Sequence, residues 1–283
     1  MSQRRQLNYH RHQLMEIREI MNSMKNLAYL ETRKLTRYLS SQQKAVNLIE
    51  QAATDLLQSY PQLQPRAEQA RTVVIILGTE RGFCGNFNEA LLDHLNHYTH
   101  EDDTRPVSLI AIGGKLEQFV QSDERVIVSL RGASVAEEAI DVLNNLMEQL
   151  GSLELLHHND QIKILYHDPT TKQVVMQSIF PPFTELSDRF PHHRIPPVIN
   201  LEPAALFKEL TDHYLFSLLY KISYASLMAE NDQRIDHLQT ALRRIDEKTS
   251  DLTRKINAVW QEEIVEEIEI ILLNTMPTRN HPK

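Results

Sequence analysis

The chain has 283 residues, 41% hydrophobic and 24% charged, with a formal net charge of -8. That acidic balance disfavours general attraction to nucleic acid or anionic lipid. One Cys excludes an intramolecular disulfide and suits a reducing cytoplasm. The sequence has neither an apolar signal core nor an apolar run of about 18 residues, so direct membrane insertion is not expected. A count of only 7 Gly suits a chain built largely of helix.

Residues 2–59 read as a first helix. Leu14, Ile17, Met21, Met24 and Ala28 recur at spacings of three and four, and the series runs on less strictly through Leu35, Tyr38, Leu39, Ile49, Ala52 and Leu56. The helix closes at Tyr60 and Pro61, because a residue before proline is pushed out of the helical region. The middle of the chain alternates in type. Apolar, β-branched runs at 72–78, 107–113, 126–130, 162–166 and 174–180 predict strands, with helical patterns between them at 88–98, 115–121 and 134–150. That order implies a mostly parallel sheet covered by helices, with the last two strands as an antiparallel edge hairpin. Residues 183–204, rich in Pro and polar side chains, read as a linker.

The remainder, 205–275, predicts a second long helix. Ile235, Leu238, Leu242, Ile245, Thr249, Leu252, Ile256 and Val259 form a coiled-coil seam, which then drifts to Trp260, Ile264, Ile268 and Ile271. A helix over 206–273 would be roughly 100 Å long and needs a partner stripe. The first helix supplies one if the two run antiparallel. The expected fold class is α/β with long helices, an antiparallel coiled coil of the N- and C-terminal helices plus a central, mostly parallel, Rossmann-like domain. The expected division is 1–60 and 205–275 as one rod, 70–182 as the α/β domain, and 183–204 as the linker.

The string GTERGFCGNFN at 78–88 joins a strand to a helix, the context of a phosphate-binding loop. Neither G-x-G-x-x-G nor G-x-x-x-x-G-K-[ST] is present, so a tight connection using its three glycines for backbone reasons is the better reading. Cys84 in that turn could be a nucleophile, but no histidine base lies close in sequence, and a small buried packer is the expectation. His94, His97 and His100 share a helix, while His157 and His158 precede Asp160, and His192 and His193 fall in the linker. None of these sets completes a metal shell, and no cofactor or metal is expected. The carboxylates within 261–269 oppose the helix dipole, either as a solvated face or as a surface met by a partner.

Three strings, in order, resemble the gamma subunit family of the F-type ATP synthases. IMNSMKNLAYLETRKL at 20–35 keeps Ile20, Met24, Lys25 and Ala28 of the family's N-terminal pattern. GTERGFCGNFN is similar to the family's STDRGLCGGLN, keeping Arg81, Gly82, Cys84, Gly85 and Asn88. The stretch at 201–235 keeps Glu202, Pro203, Leu206, Tyr214, Leu215, Tyr220, Glu230 and Arg234. Asn257, Gln261, Ile264, Glu267 and Ile268 also match, but Trp260 stands where the family has Arg and Val265 where it has Thr. The family's opening segment is not visible before Ile17.

The resemblance implies a non-catalytic rotating shaft. Its long helix would enter a hexamer of alpha and beta subunits, and its α/β domain would sit on the c-ring and bind epsilon, at the cytoplasmic face of a bacterial inner membrane. It also implies that Met24, Lys25, Arg234 and Gln261 are partner contacts, and that Arg81, Gly82, Cys84 and Gly85 shape a structural turn. Arg234 is expected to be an exposed guanidinium that meets an acidic loop of a beta subunit. The alternatives are a coiled-coil adaptor with no rotary role, and an α/β enzyme using Cys84.

Overall fold

The structure, a computed structural model, describes residues 3–64, 71–101, 107–153, 160–184 and 198–275. Most of the expected linker therefore lies outside the described residues. Two compact units result, one of Met1–Leu27 with Asp236–Lys283 and the other Ala28–Ile235.

Two helices dominate, α1 (Gln3–Ser59) and, at the C-terminal end, α5 (Pro203–Thr275). Neither has a Gly or Pro in its interior, so nothing in their sequences interrupts the hydrogen-bond ladder. Pro203 is the first helical residue of α5, a position where the missing N–H costs nothing. At 73 residues α5 is about 110 Å long.

In the larger unit a five-stranded sheet has the order β3-β2-β1-β4-β5. The strands are β1 (Arg71–Leu77), β2 (Val107–Ile112), β3 (Val126–Leu130), β4 (Asp160–Asp168) and β5 (Gln173–Phe180). β1 pairs in parallel with both β2 and β4, and β2 in parallel with β3. β5 folds back antiparallel on β4 as the edge hairpin. The central strand is buried on both faces, which is why its sequence is a continuous β-branched run rather than an alternating one.

Alternate residues of β1 feed two cores. Val74 and Ile76 meet Phe87, Leu91 and Leu95 of α2 (Phe87–Glu101), with Leu116 and Val120 of α3 (Gly114–Val120). Val73, Ile75 and Leu77 face Leu143, Leu146 and Leu150 of α4 (Ala139–Ser152), together with Val46 and Ala53 of α1 and Leu218, Leu219 and Ile222 of α5. The sheet is thus sandwiched, and both long helices contribute to one of its layers. A short 3-10 turn, Ala136–Glu138, leads into α4 where the sequence predicted helix from 134.

Pairs between α1 and α5 run antiparallel in this unit. Thr32 donates to Asp232 at 3.4 Å, Tyr38 stacks on Tyr224 at 5.6 Å, and the Tyr214 hydroxyl donates to Glu50 at 3.3 Å. Going up α1 means going down α5. In the smaller unit the same sense holds, with Arg18 bonded to Asp246 at 2.6 Å and Arg4 paired with Glu263 at 3.2 Å. The apolar contact there is a cluster of Met21, Leu238 and Leu242, flanked by Met24, Ala241 and Ile245.

Every predicted seam residue from Ile235 to Val259 is buried or half-buried. Three expectations on α1 are corrected, the first being Tyr38, which is 40% exposed although its ring meets Tyr224. Ile17 is 46% exposed and takes no part in that cluster, while Ala52 is exposed and its neighbour Ala53 holds the core position. At Ala52, in the looser part of the series, the buried face has rotated by one residue. Ile17 keeps the strict spacing, yet lies outside the Met21, Leu238 and Leu242 cluster. Past Val259 the drifted residues Trp260, Ile268 and Ile271 are exposed.

Leu242 is 8% exposed within the small cluster. Leu242→Asp should destabilise this unit by roughly 3 kcal/mol or more, through lost apolar burial and an unpaired carboxylate in its place. Circular dichroism at 222 nm during a thermal scan should show a lower midpoint than in the parent chain.

Candidate functional site

The turn after β1 lies at the C-terminal end of the central strand, between β2 on one side and β4 on the other. In open α/β sheets that is the crevice where dinucleotides bind. Here α5 occupies it. Ala229 packs in the core below the turn, and the Ser226 hydroxyl approaches the Leu77 carbonyl at 3.5 Å.

The turn is fixed from several sides. The Glu80 carboxylate accepts from the backbone N–H of Gly114 at 2.7 Å and of Gly132 at 2.8 Å, tying together the segments that follow β1, β2 and β3. Asn88 accepts from the Thr79 N–H and donates to the Thr79 hydroxyl, both at 3.0 Å, which locks the start of α2 to the end of β1. A β-carbon at Gly78 would lie 2.5 Å from Leu116 Cβ, and Gly85 has φ of 59°, so both positions require glycine. The third glycine is a correction. Gly82 has open space around it and does not adopt a positive φ. The residue carrying an unexpected left-handed conformation is Phe83, at φ 67°.

Cys84 is buried beneath the turn. Its Sγ lies 3.4 Å from the Gly82 carbonyl, 3.6 Å from that of Arg81 and 3.9 Å from Glu230 Oε1. Burial pushes the thiol up to about 12, helped by the Glu230 carboxylate and opposed by Arg234. A thiol with that value is neutral at physiological pH, which removes the nucleophile reading.

Arg234 is only 7% exposed, and the expectation of an exposed guanidinium is corrected. Its Nη2 donates to Glu230, its Nη1 to Asn231 at 3.0 Å, and its Nε to the Gly82 carbonyl at 3.4 Å. One helical turn separates Glu230 from Arg234, so they meet on one face, and that face is the one turned toward the sheet. Burial pushes the Glu230 carboxyl up to about 7, against the pull of the guanidinium and of the Glu80 N–H.

The other predicted residues are dispersed. Arg81 is exposed on the turn, Lys25 is half-buried on α1, and Gln261 is exposed on α5. Met24 is half-buried against the Met21, Leu238 and Leu242 cluster. His94 and His97 are exposed on α2, and the side chain of His100, like His157, His158, His192 and His193, lies outside the described residues. Among the described residues no three His, Cys, Asp or Glu are placed to hold a metal ion.

Two residues of this region escaped sequence reasoning. Glu80 looks like any polar loop residue, because its partners are backbone groups 34 and 52 positions away. His167 ends a strand whose alternation does not mark it as buried, yet it is 4% exposed and stacks on Phe87 at 3.9 Å. Its Nε2 donates to the Phe87 carbonyl at 2.9 Å.

Arg234→Ala should cost about 3–5 kcal/mol, because it leaves Glu230 buried without its cation. Denaturant unfolding should read this as a lower midpoint. His167 gives a pH dependence. Burial pushes its imidazole below the ordinary 6.5 despite the bond to Phe87. The unfolded chain then binds the proton more readily than the folded one, so this contribution is complete above pH 6.5 and is lost as pH falls below it. His167→Gln should flatten the stability profile of the chain between pH 7 and pH 5.

A family model described as ATP synthase matches residues 4–272. The chain is 27% identical over 231 residues to the ATP synthase gamma chain of Syntrophus aciditrophicus, covering 77% of this chain and 76% of that one. It is 25% identical over 273 residues to the gamma chain of Streptococcus mutans, covering 90% and 91%. A chain in the F1/c-ring structure of the Euglena gracilis mitochondrial ATP synthase shares the fold at a TM-score of 0.56 and 14% identity, over 99% of this chain and 98% of that one. One from the central stalk of the Tetrahymena thermophila enzyme does so at 0.55 and 16%, over 78% and 99%. With a match that spans both long helices and the α/β domain between them, the chain belongs to the ATP synthase gamma family.

Proposed function

We propose that this chain is the central rotating shaft of an F-type ATP synthase, coupling ion flow through a c-ring to conformational cycling of catalytic beta subunits. The observation that carries the reading is the family match over residues 4–272. The fold suits the task. A shaft must transmit torque without untwisting, and two antiparallel helices with no interior Gly or Pro give it stiffness. A helix pair also has no threefold symmetry. Turned inside a ring of three beta subunits, it offers each a different face and so biases each site toward a different state.

The partners under this reading are the alpha and beta subunits, which surround the tip, and epsilon and the c-ring, which meet the α/β domain. The chain itself is not catalytic and takes no cofactor. Lys25 and Gln261 are the side chains we assign to the contacts with the beta subunits. Met24 belongs to the seam beneath them. Among the described residues no helix is long and apolar enough to cross a membrane. A peripheral position fits, which we place at the cytoplasmic face of a bacterial inner membrane.

An affinity tag on this chain, expressed with its own alpha and beta subunits, should bring both down in a complex that hydrolyses ATP. The chain alone should hydrolyse none. Recovery of the folded chain without alpha and beta would instead support the adaptor reading.

A further inference from the structure

We infer that Arg234 is a positioning residue rather than a contact residue: from α5 it holds the turn at 79–86 in one shape through the Gly82 carbonyl and the Glu230 carboxylate. The turn's outer face, not the guanidinium, is then what this region presents to a partner.

Three observations converge. The first is where the donors go. A guanidinium presents a rigid planar fork, and all three of its nitrogens are directed inward here, at Gly82, Asn231 and Glu230. Reaching an outside carboxylate would mean withdrawing the cation from Glu230, which is 3% exposed and would be left buried without it.

The second is the shape of the cluster. Arg234 bonds Glu230, the Cys84 thiol faces both Glu230 and the Gly82 carbonyl, and that carbonyl accepts from Arg234 again. Four groups close a ring, two on α5 and two in the turn.

The third is that the turn needs holding. Phe83, at φ 67°, carries a β-carbon in the left-handed region, a conformation that persists only where neighbouring structure imposes it. It lies between Gly82 and Cys84, the two turn residues of the ring. Arg81, Phe83 and Asn86 are exposed side chains of the turn, Phe83 being 49% exposed.

Lysine cannot replace this arrangement. It retains the charge beside Glu230, but its single ammonium cannot also present the Nε donor to Gly82. The substitution therefore separates position from charge. Amide hydrogen exchange of residues 79–86 in the full chain should be roughly ten- to hundredfold faster in Arg234→Lys and in Arg234→Gln, the effect of losing one hydrogen bond from a charged donor. The peptides covering β2 and α4 should exchange as in the parent chain.

A second measurement rests on the rotary reading. In vesicles carrying the reconstituted complex, pumping per ATP hydrolysed should fall in both variants, with lysine giving no rescue. Parent-like exchange of 79–86 in both variants, or recovery of coupling by Arg234→Lys, would overturn the positioning role, the latter in favour of a direct charge contact. If the parent chain fails to assemble with alpha and beta subunits, the rotary reading falls and the exchange rates alone decide the role of Arg234.

Discussion

A helix has no interior of its own, and α5, at 73 residues, depends on what covers its apolar stripe. Propensity and capping together contribute a few tenths to about 1 kcal/mol per position, too little to order so long a helix in water. The cover comes from α1 and, between Tyr214 and Ala229, from the sheet. The spacing of apolar residues changes with the cover. Along the seam only every third or fourth residue is buried, as a single partner helix allows, whereas Leu218, Leu219, Tyr220 and Ile222 are buried nearly side by side where the sheet is close.

That second contact converts a familiar binding fold into a mount. The strand order is that of a nucleotide-binding domain and the turn after β1 stands where the phosphate loop would, but without that loop's glycine pattern. The crevice where the phosphate would lie holds Ser226, Ala229 and Glu230 of α5 instead. The turn keeps its glycines at 78 and 85 for contact with Leu116 and for a left-handed backbone, and its Cys84 for packing. Fold and function part company here for a plain steric reason.

Much of this was legible in the sequence. The strands and helices were readable because β-branched runs and three–four spacings are local signals, and the seam from Ile235 to Val259 was readable because it keeps its period for seven turns. Where α1 relaxes its period, at Ala52, the face could not be fixed to the residue, and at Ile17 a strict period still does not say how far the covering helix reaches. The burial of Arg234 was not legible, since a charge on a helix ordinarily points to water. Only Glu230, one turn earlier on the same face, hinted at a paired cation. Glu80 left no signal at all, because backbone partners have no letter in a sequence.

The antiparallel pairing also orders events in time. Arg18 and Asp246 are separated by 228 positions. On a ribosome α1 is made first and α5 last, so the Met21 and Met24 face of α1, which Leu238 and Leu242 cover, has no partner until the last part of the chain emerges. Loop-closure entropy over that distance opposes early pairing. The nascent chain therefore carries an uncovered apolar face on the first half of α1 through most of its synthesis, the kind of surface that chaperones bind and that aggregates when they are absent.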